Sequence, residues 1–274
     1  MALFFYFHKG GNDYMNIENL LINRVVRGTL FNRLTNEVIF SLDEISNPTL
    51  ECGGEQVYAT DALGQNIAAF DRSKTATFSG ENAMFNFGLM AAQFGADKEI
   101  ASSDNKIVVP KFELIVVQDT SKVTLKDEPV DTSVKYIYST NPDKSKNTAF
   151  KRGTVASATD FALTGKEITL PTDAFKVGDK VAIWYDAEVE KDAQIIRNTT
   201  KDFAKSGKFV LEVLVAEPCA PEVEYYAYII FNSAKLDNNV SLNLTTEANH
   251  PFSITALRDY CSDYDELFSI IVAA

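Results

Sequence analysis

The sequence predicts a mainly β protein that contains a single long helix and a small inserted β module. Apolar and polar residues alternate in short segments such as "EVIFSL" at Glu37–Leu42 and "VSLNLTT" at Val240–Thr246, which is the pattern of half-buried strands. Turn signals such as Asn47-Pro48 separate these segments. One segment, Glu81–Phe94, instead has helical spacing and is apolar on almost every side. We therefore expect strands to dominate the fold around one embedded helix.

The composition argues against several classes of function. Apolar residues make up 46% and charged residues 23% of the chain, as in ordinary globular proteins. The net charge of −12 argues against a surface that binds nucleic-acid phosphates. No apolar run approaches the ~20 residues of a membrane span, so we expect no membrane partner. The 3 cysteines form no CxxC pair, and this sparse, odd number fits a reducing compartment better than a disulfide framework.

The first residues, "MALFFYFHKGGNDYM", raise the question of where the natural chain starts. The apolar run Ala2–Phe7 is short for the core of a signal peptide and has no basic residue before it. Lys9-Gly10-Gly11 can be encoded by codons that contain a bacterial ribosome-binding sequence, a few codons before Met15. We therefore expect residues 1–14 to be an upstream extension, Met15 to be the true start, and the gene to belong to a bacterium or its virus. A genuine flexible leader is the alternative.

A hairpin is predicted between Gln56–Thr60 and Asn66–Phe70. Gly64, in the intervening "DALGQ", suits a turn position that needs positive φ. After a further turn the alternating segment Lys74–Phe78 continues the chain towards the helix. From Gln56 onward, the sequence thus predicts a hairpin, a further strand and a helix in that order.

The predicted helix starts near Glu81, with Ser79 as its cap, and ends at Gly95, a typical left-handed cap position. It carries two apolar stripes. The first consists of Met84, Phe87, Ala91 and Phe94, and the second of Phe85, Leu89 and Ala92. One stripe must cover the sheet of the same chain. The other needs cover either from another segment of this chain or from a neighbouring subunit.

Residues 107–204 predict a small β-sandwich or barrel, inserted into a domain formed by 15–106 and 205–274. Short β-rich segments such as "KVTLKD" and "KVAIWYDAEV" are separated by Pro and Gly turn signals. Trp184 lies in the most apolar of these segments and is predicted at the core of the module. The later segment "YYAYIIF", within Val223–Asn232, does not alternate, so we expect it to be covered on both faces.

The sequence contains no recognisable active site. The chain has 2 histidines, His8 and His250. It has no nucleophile elbow, P-loop, HExxH or paired-cysteine pattern around which a reaction could be assigned. The acidic segment Ser262–Glu266 lacks the glycine and the spacing of a calcium loop. Because no acid–base or nucleophile pair can be named, we expect neither an enzyme nor a bound cofactor.

Two stretches of the chain share the order of their elements with a known family. The block "NPTLECGGEQVYATDALGQNIAAFDRSKTATFSGENAMFNFGLMAAQFGA" combines a strand, a hairpin and a single helix. The ending, which begins "GKFVLEVLVAEPCAPEVEYYAYIIFNSAKL", returns to longer strands. Over about 45–105 and 205–274 the chain therefore resembles the tail tube proteins, also called major tail proteins, of long-tailed bacteriophages.

The resemblance implies a two-sheet β-sandwich or half-barrel with one flanking helix. It also implies that the chain assembles with itself into hexameric rings, which stack into a tube through which phage DNA passes without specific binding. Other phage tail proteins would be further partners, and the inserted module would be an outward decoration. The expected location is the virion, with the chain made in the bacterial cytoplasm.

Candidate site residues follow from this resemblance as hypotheses. A neighbouring subunit would cover the second helix stripe, which places Phe85 and Leu89 in a subunit interface. Acidic residues near strand ends would line the lumen, where negative charge repels DNA and lets it slide. The lumen candidates are Glu37, Asp43, Glu44 and Glu247.

Two other classes of function stay open at this point. The chain could be another virion protein, such as a capsid decoration or neck protein, for which electron microscopy would show isolated monomers or trimers rather than tubes. It could also be a surface- or carbohydrate-binding β module. Exposure of Trp184 and Tyr185 on one side of the module would favour that function.

Overall fold

The structure, a computed structural model, describes residues 19–140, 146–245, 249–260 and 265–273. The expected upstream extension 1–14, the expected start at Met15 and the lumen candidate Glu247 lie outside the described residues. The chain divides into two compact units. Unit 1 combines the residues up to Lys98 with those from Ile196 onward, and unit 2 is Glu99–Ile195. The predicted division into a module at 107–204 and a domain formed by 15–106 and 205–274 stays a prediction.

Strands dominate both units, and they follow one another in this order. The first part of the chain contains β1 (Leu21–Phe31), β2 (Val38–Asp43), β3 (Ile45–Thr60), β4 (Asn66–Asn82) and the helix α1 (Phe87–Phe94). Unit 2 contains β5 (Glu99–Ile100), β6 (Ile107–Val116), β7 (Lys122–Thr124), β8 (Tyr136–Thr140), β9 (Lys146–Arg152), β10 (Asp160–Thr164), β11 (Glu167–Thr169), β12 (Lys180–Val189) and β13 (Gln194–Ile195). Unit 1 then resumes with β14 (Ser206–Glu217), β15 (Ala220–Leu236), β16 (His250–Ala256) and β17 (Ser269–Ala273).

Unit 1 is built on one antiparallel sheet whose two edges nearly meet. The strand order is β2-β1-β14-β15-β16-β4-β3, and β17 pairs with β15 beside this path. The edge strands β2 and β3 are consecutive in the chain, and only Glu44 lies between them, with φ 60°. Because neighbouring Cα atoms lie only about 3.8 Å apart, this link holds the two edges together. The result is a nearly closed half-barrel, which confirms the predicted mainly β fold.

Ile45 fills the seam of the half-barrel. Its side chain is 7% exposed and packs against β1 and β4 where each strand carries a glycine. A Cβ added to Gly28 would lie 2.8 Å from Ile45 Cδ1, and one added to Gly80 would lie 2.6 Å from Ile45 Cγ2. Real Cβ atoms essentially never approach a neighbour this closely. A side chain at either position would therefore force Ile45 to shift, so both glycines help the edges to approach each other around it.

Aromatic rings form the centre of the unit 1 core. The ring centroid of Phe209 lies 5.8 Å from that of Phe78, 6.1 Å from that of Phe231 and 6.5 Å from that of Phe252. All four side chains are 4% exposed or less. They come from four neighbouring strands of the sheet, so this cluster fixes the inner face of the half-barrel.

The helix is shorter than the sequence predicted. It begins at Phe87, where Asn86 caps it and accepts a hydrogen bond from the Leu89 N–H at 2.9 Å, and it ends before Gly95, whose φ is 71°. The predicted start near Glu81 with Ser79 as the cap is wrong, because the chain stays in β4 up to Asn82. Pairing with β3 and β16 on both sides holds those residues in the sheet. The cap at Gly95 is confirmed.

Unit 2 contains a seven-stranded sheet in the order β6-β12-β8-β9-β10-β11-β7 and a separate two-stranded sheet, β13-β5. As in unit 1, the two edges of the large sheet belong to strands joined by a short link, residues 117–121. Ile137, Phe161 and Ile183 are fully buried at its centre. Strands β9 and β10 form a parallel pair, while the other paired neighbours are antiparallel.

Trp184 is not the core residue that the sequence predicted. It is 51% exposed, while the next residue, Tyr185, is 3% exposed and packs in the core of unit 2. Successive side chains of a strand point to opposite faces, so the register of β12 determines which of the two is inside. Burial of Tyr185 raises the pKa of its hydroxyl, which donates a hydrogen bond to Glu113.

Two further predictions for the last third of the chain are wrong. Val240–Thr245 forms no strand, and Leu244 within it is 89% exposed, because no neighbouring strand pairs with this segment. The second prediction is that the segment "YYAYIIF" is covered on both faces. Instead Tyr226 is 46% exposed, and it stacks on Tyr228 at the outer face of β15.

Candidate functional site

The described residues contain no obvious site for chemistry. They include no group of three or more His, Cys, Asp or Glu side chains that could hold a metal ion. Among them, no helix is long and apolar enough to cross a membrane. Cys52 and Cys219 are free and exposed, while Cys261 lies outside the described part of the chain.

His250 has a structural environment rather than a catalytic one. It is 1% exposed, its Nδ1 accepts a hydrogen bond from the Asn86 N–H at 3.3 Å, and its Nε2 lies 2.7 Å from Gln93 Oε1. Because Nδ1 is an acceptor, the proton sits on Nε2 and is donated to Gln93. Gln93 in turn donates to the Pro251 carbonyl at 3.0 Å. Burial lowers the pKa of His250 to about 4, so the ring is neutral and joins α1 to β16.

The two residues predicted in a subunit interface have different environments. Leu89 is fully buried in the core of unit 1, so it leaves no surface for another subunit and the interface hypothesis is wrong for this residue. Phe85 is 50% exposed, stacks on His250 at 5.5 Å and meets Phe87 edge-on at 5.1 Å. The difference arises because Phe85 precedes the helix, and helical periodicity therefore cannot relate it to Leu89.

The stripe expected to cover the chain's own sheet is also divided by the short helix. Met84 is 68% exposed and Phe87 is 42% exposed, whereas Ala91 is 6% exposed. Met84, Phe85 and Phe87 together form an exposed apolar group, which we call the pre-helix cluster. An exposed apolar group of this kind is a candidate contact surface.

The most prominent candidate surface is the outer part of the β3–β4 hairpin. We call it the distal ribbon and define it as Cys52–Thr60 and Asn66–Thr75 with the turn between them. In the turn, the Leu63 and Gln65 N–H groups both donate to Asp61 Oδ1, and Gly64 has φ 81°. The predicted hairpin and the predicted role of Gly64 are confirmed.

Among the described strands, only β3 and β4 form the distal ribbon. β16 pairs with β4 at His250–Thr255 opposite Thr77–Asn82, so its contact ends before the ribbon begins. The ribbon is roughly 25 Å long at the usual rise per residue. Every described side chain of Asn66–Thr75 is exposed, because no third strand covers it. An isolated two-stranded ribbon is only marginally stable in water.

Both faces of the distal ribbon carry apolar side chains. Phe70 lies opposite Val57 on one face and is 59% exposed. Tyr58, on the other face, is 50% exposed, and Ile67 is 68% exposed. A hairpin that packs one face on the core of its own chain usually has polar side chains on the opposite face. Exposed apolar groups on both faces instead favour contact with a second molecule on each side.

A further candidate surface is the outer edge of β17. Among the described strands this one pairs only with β15, through Tyr226–Ile230. Its residues Ile270 and Ile271 are 58% and 49% exposed, and the strand Ser269–Ala273 carries no charge. Uncharged, β-branched edge strands are the kind to which another strand can add.

The three described lumen candidates are exposed, but Glu37 lies apart from Asp43 and Glu44, which are consecutive residues. Glu37 precedes β2 and Asp43 ends it, so they lie roughly 20 Å apart along the strand. Glu44 occupies the link between the two edges of the half-barrel. Asp43 accepts a hydrogen bond from Arg27 Nε at 2.8 Å, which offsets part of its charge.

Glu212 is a further acidic residue in the same row as the lumen candidate Asp43, and it was not predicted from the sequence. Arg27 lies opposite both Asp43 on β2 and Glu212 on β14, so the three side chains form one row across the outer face of the sheet. The Arg27 guanidinium lies 3.8 Å from the Glu212 carboxylate. The alternation of "KFVLEVLVA", with Phe209 and Leu211 inside, could have placed Glu212 on the outer face.

Comparison with known families supports an assembly protein rather than an enzyme. A model of the YomU/Tube protein family matches residues 20–265, which covers all of unit 2 and most of both parts of unit 1 but ends before β17. The chain belongs to the YomU/Tube protein family. A search of curated proteins finds no match. Membership of the YomU/Tube family indicates a phage tube-type structural protein and a component of the virion.

In a YomU/Tube protein, the distal ribbon, the β17 edge and the pre-helix cluster are the surfaces to examine. Each presents apolar groups or unpaired strand backbone that the described part of the chain leaves uncovered. Assembly surfaces need such groups, because association removes them from water.

Proposed function

We propose that this chain is a tail tube subunit whose hexameric rings stack into a channel for phage DNA. The observation that carries the proposal is the distal ribbon, which projects as two strands with apolar side chains on both faces. The family membership supports it, since a tube of one repeated subunit needs contacts between unlike surfaces of identical chains. A ring needs one such contact, and stacking needs a second.

The distal ribbon docks on a second copy of this chain in this proposal. Phe70 on one face and Tyr58 on the other each meet an apolar surface of a neighbouring subunit. The β17 edge is one candidate receiver because its backbone groups can extend the sheet of the neighbour. Phe85, together with Met84 and Phe87 in place of Leu89, forms another part of the subunit interface.

The lumen hypothesis keeps Glu37, Asp43 and Glu44 as candidates in the described residues and adds Glu212. The net charge of −12 supports an acidic channel wall, along which DNA passes without specific binding. Arg27 makes the row that contains Asp43 and Glu212 less negative. The repulsion of DNA therefore depends on Glu37 and Glu44 as well. A ring in which these carboxylates lie on the outer rim would contradict the lumen assignment but not the tube.

The chain has further partners in this proposal. It is made in the bacterial cytoplasm and incorporated into the phage tail, where other tail proteins bind the ends of the tube. The same apolar surfaces that stack rings are left open at those ends, so they are available to different partners.

Negative-stain electron microscopy of the purified chain tests this function. We expect tubes built of stacked rings, with six-fold symmetry in end-on views. Isolated monomers or trimers at high concentration would contradict the proposal and would favour a capsid decoration or neck protein.

A further inference from the structure

The outer face of unit 2 carries a row of aromatic side chains. We call it the aromatic strip and define it as Phe112 on β6, Trp184 on β12, and Tyr136 and Tyr138 on β8. The ring centroid of Trp184 lies 4.7 Å from that of Phe112 and 5.5 Å from that of Tyr138. Tyr138 lies 6.4 Å from Tyr136. Phe112, Trp184 and Tyr136 are 54%, 51% and 41% exposed, so the strip faces solvent.

Mutual packing holds the strip in place. Ala182 lies on the same outer face as Trp184, two residues away along β12, and it is opposite Tyr138. Its side chain is nevertheless only 2% exposed, because neighbouring side chains close over it. Contacts between the rings at 4.7 and 5.5 Å limit their rotation. The strip is therefore a preformed apolar surface and does not have to be ordered by a ligand.

A polar groove adjoins the strip at Phe112. It has a volume of about 640 Å³ and lies between the edge strands β6 and β7 of the unit 2 sheet. Its polar side chains include Glu113, Gln118, Asp119, Lys122, Thr124 and Lys126. This volume lies within the range of roughly 300–1,000 Å³ that is usual for small-molecule sites.

We propose that the aromatic strip and this groove bind an uncharged oligosaccharide. A pyranose ring has apolar C–H faces and a rim of hydroxyl groups. Its faces pack on aromatic rings, and its hydroxyls form hydrogen bonds with carboxylate, amide and ammonium groups. Trp184 and Phe112 supply the first kind of contact, and the side chains of the groove supply the second.

The charges around the strip favour a sugar over a second copy of the chain. Lys180, Asp186 and Glu188 lie on the same outer face of β12, and Lys151 lies opposite Tyr136. A specific protein–protein interface covers roughly 800 Å² on each partner, whereas this apolar row consists of four side chains with ionised groups on both sides. Such a border suits a narrow ligand that has its own hydroxyl groups. The proposal does not depend on the tube function, because the site belongs to unit 2 alone.

Fluorescence and calorimetry test this proposal. Trp184 is the only tryptophan in the chain, so its emission reports the strip directly. The probes are hexasaccharides of β-1,4-, β-1,3- and α-1,4-linked glucose and of β-1,4-linked N-acetylglucosamine. We expect at least one probe to shift the Trp184 emission in a saturable way. We expect Phe112→Ala to weaken that binding at least tenfold by calorimetry, while Phe70→Ala in the distal ribbon leaves it unchanged.

Two results would overturn the proposal. One is that no hexasaccharide of the panel binds the wild-type chain. The other is that Phe112→Ala binds sugar as tightly as wild type. If that variant also loses self-assembly in sedimentation experiments, the strip is a contact between copies of the chain. Circular dichroism of Phe112→Ala is the control that checks whether this variant is folded.

Discussion

The two halves of the β3–β4 hairpin have different environments although the same two strands form both. In the proximal half, Ala76, Phe78 and Asn82 of β4 are buried at every second position. In the distal ribbon the described residues of β4, from Asn66 to Thr75, are all exposed. The boundary coincides with the end of the contact with β16 at Thr77. A third strand, and not the hairpin itself, therefore decides where the apolar side chains are covered.

This difference separates the side chains that stabilise the fold from those that stay exposed for contact with another molecule. Phe78 contributes to folding because it packs on Phe209 and Phe252 within unit 1. Phe70 has the same side chain on the same strand but no comparable cover, so it contributes little to folding. In the proposed tube it contributes to assembly instead.

The largest expected effect on stability comes from a matched pair of substitutions in β4. Phe78→Ala removes a ring that is 2% exposed and should lower the free energy of unfolding by about 3–5 kcal/mol. Phe70→Ala, at a position 59% exposed, should change it by less than about 0.5 kcal/mol. Urea denaturation of the dilute, unassembled chain measures both. Equal losses for the two variants would mean that the ribbon is covered within its own chain.

The free energy of unfolding should also fall in acid because of His250, which lies opposite Asn82 in the proximal half of the hairpin. Its pKa is lowered by burial from 6.5 to about 4 in the folded chain, so the unfolded chain binds the proton more tightly. Stability should therefore fall as the pH drops below about 6.5, by up to about 3 kcal/mol near pH 4. His250→Gln should remove this part of the pH dependence. If wild type and variant lose stability in parallel between pH 7 and pH 4, the buried imidazole is not responsible.

A smaller effect is expected from added methyl groups on two glycines of the hairpin. Gly80→Ala places a Cβ 2.6 Å from Ile45 Cγ2 and should cost about 1–3 kcal/mol, because the seam of the half-barrel must open. Gly54→Ala in the distal ribbon is the control, since its Cβ would meet the Ser73 carbonyl at an ordinary 3.5 Å. Thermal unfolding of both variants measures the difference. A larger loss for Gly54→Ala would show that the seam is not tightly packed.

The strands were largely predictable because alternation is a local signal. Gln56–Thr60, Asn66–Phe70 and the turn at Gly64 follow directly from the residue types. The helix end at Gly95 was equally clear. The helix start was not, because Ser79 and Glu81 suit a helix cap locally but pair with β16 and β3. Tertiary pairing overrides local capping there.

Which face of a strand is buried was harder to predict. Trp184 and Tyr185 are neighbours, and only the register of β12 decides which of them is inside. The sequence places Leu89 and Phe85 in one stripe only if the helix is continuous, and the shorter helix separates them. A contact with another chain cannot be derived from one sequence at all, because it depends on surface that two copies bury together.

The most direct test of the central claim is the assembly of a chain whose distal ribbon has lost its apolar groups. The variant carries Tyr58→Ser and Phe70→Ser, one on each face of the ribbon. The control carries Val155→Ser and Val177→Ser, which are 75% and 70% exposed in unit 2. Sedimentation velocity and electron microscopy compare both with wild type at the same concentration. We predict a folded, monomeric ribbon variant and a control that forms tubes; tubes formed equally well by the ribbon variant would contradict the claim.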